Sequence, residues 1–582
     1  MSTATLIPGK DAALEHSIAR FQQQLTQLGF TIQEVSWLNP APHVWSVHIA
    51  DRDCPQCFTN GKGTSKEAAL ASALGEFFER LSCNYFFADF YLGEHIAHSE
   101  FVHYPNERWF ALTEDDSLPE GLLDEYLLDF YQQEAPLAAS QLIDLQSANE
   151  ERGICALPFV RQNDLEQVFI PVNIIGNLYV SNGMSAGNNR YEARAQALSE
   201  ICERYVKQRV LTEALSLPHI PADILAQHPN SHAALAYLAE QGFPTLALDA
   251  SLGGVFPVVC VLLFNPDNGG CFASFGAHPN FAIALERTVT ELLQGRNLKQ
   301  LDVFPAPSFA NDEIADPTNL ETHFTDSSGL FGWDSLRKTT DFEYCAWDFQ
   351  GDTQTTFEHL VQLIEQQDFS IYIADYQHLG VDACRILVPG MSEIYPVEDL
   401  FYANNNLGND WRELICQLPS TAAQAEDYLG LIESIEEDNL NDDLLLAEFL
   451  GLAVTADDPW SSLRIGELKA MLALAAGAHQ IALDWVRWTL DFNSSTFTKS
   501  RRQHYLCLAA LLEFQLSRTP QTWVEYAHAF TLAYGAQQVA DCRAVLLGES
   551  RFYGLAPLDN QLSQLPAQQK LIQAYQKLQR SK

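Results

Sequence analysis

One short pattern is written three times along this chain, and it constrains the fold more than any other feature. Ser72-Ala-Leu-Gly-Glu76-Phe-Phe-Glu79-Arg80 has a counterpart in Gln196-Ala-Leu-Ser-Glu200-Ile-Cys-Glu203-Arg204, and a third copy runs Arg287-Thr-Val-Thr-Glu291-Leu-Leu-Gln294. In each, a polar residue is followed four positions later by Glu, and three positions after that by Glu or Gln. Side chains three, four and seven apart share one face of a helix, so the spacing predicts three helices, each with a polar stripe. Around Glu76 the remaining positions are apolar or small: Ala68, Ala69, Leu70, Ala73, Leu74, Phe77, Phe78 and Leu81. A helix of that composition is largely buried. Carboxylates on it must be paired or must coordinate a metal, because an isolated buried charge is very costly.

A glycine-containing segment precedes each helix: Thr59-Asn60-Gly61-Lys62-Gly63-Thr64-Ser65, then Ser181-Asn182-Gly183 through Asn188-Asn189, then Phe275-Gly276-Ala277-His278-Pro279-Asn280. Each reads as a turn from a strand into a helix N-terminus, where free N–H groups favour anions such as phosphate. The first is not a P-loop despite its Gly61-Lys62, since Gln56 stands where the leading glycine would be.

If the three helices converge, Glu76, Glu79, Glu200, Glu203 and Glu291 meet, with Glu192 two turns before Glu200. Six carboxylates at close quarters cannot all stay ionised without cations. Arg204 and Arg287 offset two charges and the remainder calls for divalent ions. A set of oxygen donors with no Cys or His selects a hard cation, Mg²⁺ rather than zinc. Metal, arginines and helix N-termini together describe a nucleoside triphosphate pocket. One copy alone would read as an exposed charge pattern; three copies on apolar helices do not.

These residues resemble the YcaO family of ATP-dependent enzymes, whose motifs Ser-x₃-Glu-x₂-Glu-Arg, a second Glu-x₂-Glu helix and Arg-x₃-Glu-x₂-Gln stand here at Ser72–Arg80, Glu192–Arg204 and Arg287–Gln294. The resemblance spans the chain and is greatest to stand-alone members that serve as accessory factors in methylthiolation of a ribosomal protein. It implies that ATP phosphorylates the oxygen of a backbone amide after a nucleophile has attacked its carbonyl, leaving ADP and phosphate. It implies ATP and Mg²⁺ as cofactors, with Glu76, Glu79, Glu192, Glu200 and Glu203 as metal ligands. Lys10, Ser17, Ser72, Asn188, Gln196, Arg204, Arg287, Glu291 and Gln294 would then contact ATP. The implied partners are a peptide or protein substrate, a ribosomal protein and its methylthiotransferase. The chain departs from azoline-forming members in having no proline after Pro566 where they carry a Pro-rich tail. That departure motivates another reading, a non-catalytic ATP-gated scaffold; a simple ATPase or phosphotransferase stands beside it as a different enzyme class.

Net charge is −41, from 34 basic and 75 acidic residues. So acidic a surface repels nucleic acid and anionic membrane. The opening residues Met1–Lys10 contain no long apolar stretch and no apolar run reaches membrane-spanning length, which predicts a cytoplasmic protein. Twelve cysteines are scattered singly apart from Cys54-Pro-Gln-Cys57, which predicts reduced thiols at a hairpin. His95, His98 and His103, near Glu94, read as surface histidines.

The first 400 residues mix strands and helices. Thr31–Ser36, Val44–Ala50, Ile170–Val180, Ile371–Tyr376 and Cys384–Val388 read as strands, and Val258–Phe264 with Gly270–Phe275 as a hairpin. The first motif helix is expected over about Ser65–Phe87. Strands in hairpins favour α+β over a doubly wound sheet. The expected fold is therefore a YcaO-type ATP-binding domain of antiparallel sheets and three motif helices over residues 1–405, followed by an all-α, tetratricopeptide-like domain over 420–582. Asn404–Asn406 reads as the linker. Beyond it, helical hairpins recur about every 35 to 40 residues. Such arrays bind partners or self-associate, and a homodimer is expected.

Overall fold

The computed structural model describes residues 4–132, 136–144, 147–399, 408–421, 423–493, 497–518 and 522–582. The expected linker at Asn404–Asn406 lies outside the described residues. Among the described residues, three sheets, antiparallel in every ladder, occupy the N-terminal part. The first has the order β1 (Ile32–Ala41), β2 (Val44–Asp51), β3 (Phe58–Gly63). The largest runs β4 (Arg108–Phe110), β5 (Ile154–Arg161), β11 (Tyr372–Tyr376), β12 (Asp382–Leu387), β7 (Met184–Gly187), with β6 (Gln167–Pro171) also paired to β5. The third is β10 (Gly270–Ala277), β9 (Val258–Asn265), β8 (Thr245–Asp249). The fold is α+β, as the hairpin pattern predicts.

Each of the three repeated motifs is a strand, a capping residue and a helix. The first motif helix (Lys66–Ser82) follows β3, with the Ser65 side chain accepting from the Ala68 N–H. The second (Arg190–Thr212) follows β7, capped by Asn189 on the N–H groups of Tyr191 and Glu192. The third (Phe281–Glu291) follows β10, capped by Asn280 on the Ile283 N–H. These caps satisfy N–H groups that a helix leaves free at its first turn. The strand glycines serve packing here. A Cβ on Gly61 would lie 2.0 Å from the Ala69 carbonyl oxygen, and one on Gly276 would lie 2.4 Å from the Thr288 hydroxyl. Glycine lets each helix rest directly on its own strand.

The helices link the sheets in a ring. The first packs on β2 and β3 and also on β7 and β12; the second packs on β7 and β12 and also on β10; the third packs on β9 and β10 and also on β2 and β3. Every motif helix is thus shared by two sheets, and the three polar stripes are turned toward one another.

Two expectations need correction. The first motif helix ends at Ser82, where Asn84 takes a left-handed backbone (φ 57°) and a separate turn follows at Tyr85–Phe87. The apolar run Ile170–Val180 is not one strand. β6 stops at Pro171, and Val172–Tyr179 forms buried helical turns before β7. A continuous apolar run has no period that separates a buried strand from a buried helical turn, and Pro171 ends the ladder.

Beyond residue 408 the chain is helical. Helices Ile465–Ala475, His479–Asn493, Lys499–Ser517, Trp523–Tyr534 and Ala536–Leu546 follow one another, with Leu468, Leu472, Val486, Leu508, Leu512 and Val545 in a shared core. The last helix, Pro566–Gln579, leaves that core. Its Leu571, Ala574, Tyr575 and Leu578 pack among Phe30, Phe77 and Phe87 beside the first motif helix. The Tyr575 ring meets Phe87 edge-on at 5.2 Å. Among the described residues no helix is long and apolar enough to cross a membrane.

Candidate active site

At one end of the site the segment before the first helix of the chain (Leu14–Leu28) meets the start of the second motif helix. Lys10 Nζ lies 3.2 Å from Glu192 Oε1, the Asp11 N–H donates to Glu192 Oε2 at 3.0 Å, and Asn188 Nδ2 donates to the same carboxylate at 3.0 Å. Ser17 Oγ donates to Asn188 Oδ1 at 2.8 Å, and an Arg20 guanidinium N–H donates to the Asn188 carbonyl at 3.0 Å. Glu192 is 4% exposed. Burial works to raise its pKa, but Lys10, the Asp11 N–H and Asn188 overcome that and leave it below the ordinary value. Lys10, Ser17, Asn188 and Glu192 therefore form one connected group, and three donors already occupy Glu192.

The remaining motif residues line the centre. Glu76 pairs with Arg80 at 2.7 Å and Glu200 with Arg204 at 3.0 Å. Arg287 donates to the Gln196 side chain and, at 2.9 Å, to the Ala277 carbonyl. Glu291 is ion-paired with Lys62 of β3. Gln294 lies beyond the end of the third helix, in the turn after Glu291, and its amide donates to the Asn60 carbonyl of β3. Ser72 is exposed at the outer end of its stripe.

Glu79 and Glu203 differ from the others. Among the described residues neither carboxylate makes a hydrogen bond or ion pair. Burial, then the like charges of Glu200 and Glu76, hold Glu79 well above the usual carboxylate range. Burial likewise raises Glu203, against the attraction of Lys62. Burial raises Glu76 too, opposed by Arg80. These mutual influences show the stripes facing one centre. Still, no three of these carboxylates bring ligand atoms within 4.8 Å of one another among the described residues, so the cradle is open rather than closed.

A cavity of about 110 Å³ adjoins it, lined by Glu203, Arg204, Lys207, Glu291, His323 and Phe324 among others. The Arg204 guanidinium lies over the Phe324 ring at 4.4 Å, and its Nη1 is buried with no hydrogen-bond partner. An unpartnered buried guanidinium N–H is costly and fits an anionic ligand. The open carboxylates are all oxygen donors and fit a hard divalent cation.

Two lysines escaped the sequence reading. Lys62 sits among Glu203, Glu76 and Glu200; burial lowers its pKa, against those charges. Its only signal in the sequence is its place between Gly61 and Gly63. Lys207 donates to the His323 carbonyl at 2.8 Å and to Ser327 Oγ at 2.9 Å, and burial pulls its pKa down to about 8. It stands one helical turn past Glu203 on the same stripe, which the spacing could have revealed. Glu94, His95 and His98 are exposed as expected, but the His103 side chain is only 12% exposed and pairs with Asp144, a partner 41 residues away that no local pattern announces. Cys54 and Cys57 sit between β2 and β3 as free, buried thiols.

The family described as YcaO cyclodehydratase, ATP- and Mg²⁺-binding, matches residues 60–392, and the YcaO cyclodehydratase C-terminal domain matches residues 408–582. The chain is 59% identical over 580 residues to the ribosomal protein S12 methylthiotransferase accessory factor YcaO of Escherichia coli (strain K12), covering 100% of this chain and 99% of that protein. It is 55% identical over 583 residues to an uncharacterized protein of Haemophilus influenzae, covering 100% and 99%. Among solved structures, YcaO from Methanopyrus kandleri bound with AMPPCP and Mg²⁺ aligns with a TM-score of 0.42 at 18% identity, covering 66% of this chain and 93% of that one.

Proposed function

Because this chain belongs to the YcaO family, whose cofactors are ATP and Mg²⁺, we propose that it activates a backbone amide by phosphorylation and so assists methylthiolation of a ribosomal protein. The observation that carries this reading is the pair Glu79 and Glu203, half-buried carboxylates raised by burial and engaged by no hydrogen bond or ion pair among the described residues.

Glu76, Glu79, Glu200 and Glu203 would hold Mg²⁺, and Glu192 would act through Lys10 and Asn188 at the nucleotide end. Bound Mg²⁺ supplies the positive charge that lets a triphosphate enter so acidic a cradle. Arg204 Nη1 offers a free donor for a phosphate oxygen, while Arg287, held by Gln196 and the Ala277 carbonyl, presents a fixed positive charge. Ser72, Ser17, Lys10, Glu291 and Gln294 complete the ATP contacts, the last two by fixing β3 against the third motif helix. Attack of a nucleophile on the amide carbon turns its carbonyl into an oxyanion. That oxygen bonds to the γ-phosphorus as the bond to ADP breaks. Departure of phosphate with the former amide oxygen then leaves the substituted carbon, the nitrogen losing or keeping its proton according to the product.

Oxygen transfer tests this. A peptide labelled with oxygen-18 at the reacting amide should yield labelled inorganic phosphate, and Glu203→Gln should abolish both the label and Mg²⁺-dependent ATP binding by calorimetry. Unlabelled phosphate from a turning-over enzyme would select a simple ATPase instead.

A second reading, an ATP-gated scaffold, is favoured by the helix Trp523–Tyr534. None of its residues is buried, and Val524 and Leu532 are 83% and 74% exposed. A Glu76→Gln/Glu200→Gln variant that loses ATP yet still supports the partner's reaction would favour the scaffold.

A further inference from the structure

Away from the acidic cradle, a histidine, a carboxylate and a cysteine come together in the interior. One ligand atom from each of His103, Asp144 and Cys155 lies within 4.8 Å of the others, and all three residues are buried, unlike most carboxylate clusters on protein surfaces. His103 Nε2 is 3.0 Å from Asp144 Oδ2. We propose that these three side chains form a zinc site, separate from the nucleotide centre, with a water molecule as fourth ligand.

The chain fixes each ligand from a different direction. Cys155 lies on β5 opposite Trp109 of β4. The Asp144 N–H donates to the Gly153 carbonyl at 3.4 Å, which ties the acid to the start of the same strand. The loop carrying His103 is clamped by Glu107, whose carboxylate accepts the N–H groups of Val102, His103 and Tyr104 and the Trp109 indole N–H. Glu107 is thereby consumed as a structural acceptor. Ser147 Oγ donates to Asp144 Oδ2 at 2.6 Å, the kind of outer hydrogen bond that orients a ligating carboxylate. A cavity of about 30 Å³, lined by His103 and Ser147 together with apolar residues such as Phe87, Ile96 and Val102, leaves room for one water on the imidazole side of the trio.

The donor set decides the metal. Imidazole, thiolate and carboxylate suit zinc, in contrast to the all-oxygen set of the cradle. Charge balance agrees: a zinc ion held here would take the Asp144 carboxylate and the Cys155 thiolate as its two negative ligands, so no uncompensated charge would be left in the interior. The ion would pin β5 to the loop whose His103 carbonyl accepts the Lys582 ammonium, next to the last helix.

The intact protein, stripped with chelator, is dialysed against Zn²⁺ or Co²⁺ and its metal counted by mass spectrometry. We expect stoichiometric zinc, and with cobalt a thiolate-to-metal charge-transfer band. Both should be lost in Cys155→Ala and kept in Cys54→Ala/Cys57→Ala. Asp144→Asn, which preserves shape, should weaken zinc at least about tenfold, so the result does not depend on Cys155→Ala folding. A wild-type protein that retains no zinc, a cobalt band untouched by Cys155→Ala, or a band lost only with Cys54 and Cys57 would overturn the assignment.

Discussion

Glu79 bears on the pH behaviour of the whole molecule. Burial first, then Glu200 and Glu76, hold its carboxyl well above the ordinary value near 4.5. The folded state therefore keeps a proton that the unfolded chain has released. Stability is present below the unfolded pKa and is lost as pH rises through the folded one. Without Mg²⁺, the melting temperature should fall as pH rises above the ordinary carboxylate range, and Glu79→Gln should flatten that fall and raise the melting temperature at neutral pH. Scanning fluorimetry in chelator decides it; equal slopes in wild type and variant would remove Glu79 from the account. The same variant should lose the rise that Mg²⁺ and ATP give the wild type. At this scale the stripe residues were legible because period and helix face coincide. Lys62 was not, since one lysine between glycines on a strand carries no period. His103 was misread because its partner, Asp144, is remote in sequence.

Among the elements, two glycines in the first motif unit should respond oppositely to one added methyl group. At Gly61 on β3 a Cβ would sit 2.0 Å from the Ala69 carbonyl oxygen and 2.4 Å from the Ala73 nitrogen. At Gly75, inside the helix, the nearest atom is a Phe21 ring carbon at 4.0 Å. Gly61→Ala forces the helix off its strand and should cost about 1–3 kcal/mol or more, with loss of ATP binding because the Glu76 and Glu79 stripe moves too. Gly75→Ala should stabilise by about 1 kcal/mol through helix propensity alone. Urea unfolding of the two variants gives the comparison, and a shared sign would refute the close-packing role of Gly61. The motif helices were readable because cap, period and apolar flank agree. Ile170–Val180 was not, because a uniformly apolar run turns helical or extended according to what surrounds it.

For the molecule as a whole, the last helix matters more than its position in sequence suggests. Leu571 and Leu578 are fully buried against the aromatic residues beneath the first motif helix. Leu571→Ala should cost about 2–5 kcal/mol, and calorimetry should show the loss in the transition that Mg²⁺ and ATP protect. A loss confined to a separate, nucleotide-insensitive transition would place the helix energetically with the helical array. Sequence alone marked the change to helix after about residue 405 but not this return, which depends on contacts hundreds of residues apart. The ring in which each motif helix is shared by two sheets has a corollary for biogenesis. On the proposed reading of the cradle, a nascent or partly misassembled chain that lacks any one of the three sheets would also lack one wall of it and would not hold nucleotide there. Capture of ATP then doubles as a certificate of complete maturation, and a pulse of nucleotide during refolding would report the moment the last wall closes.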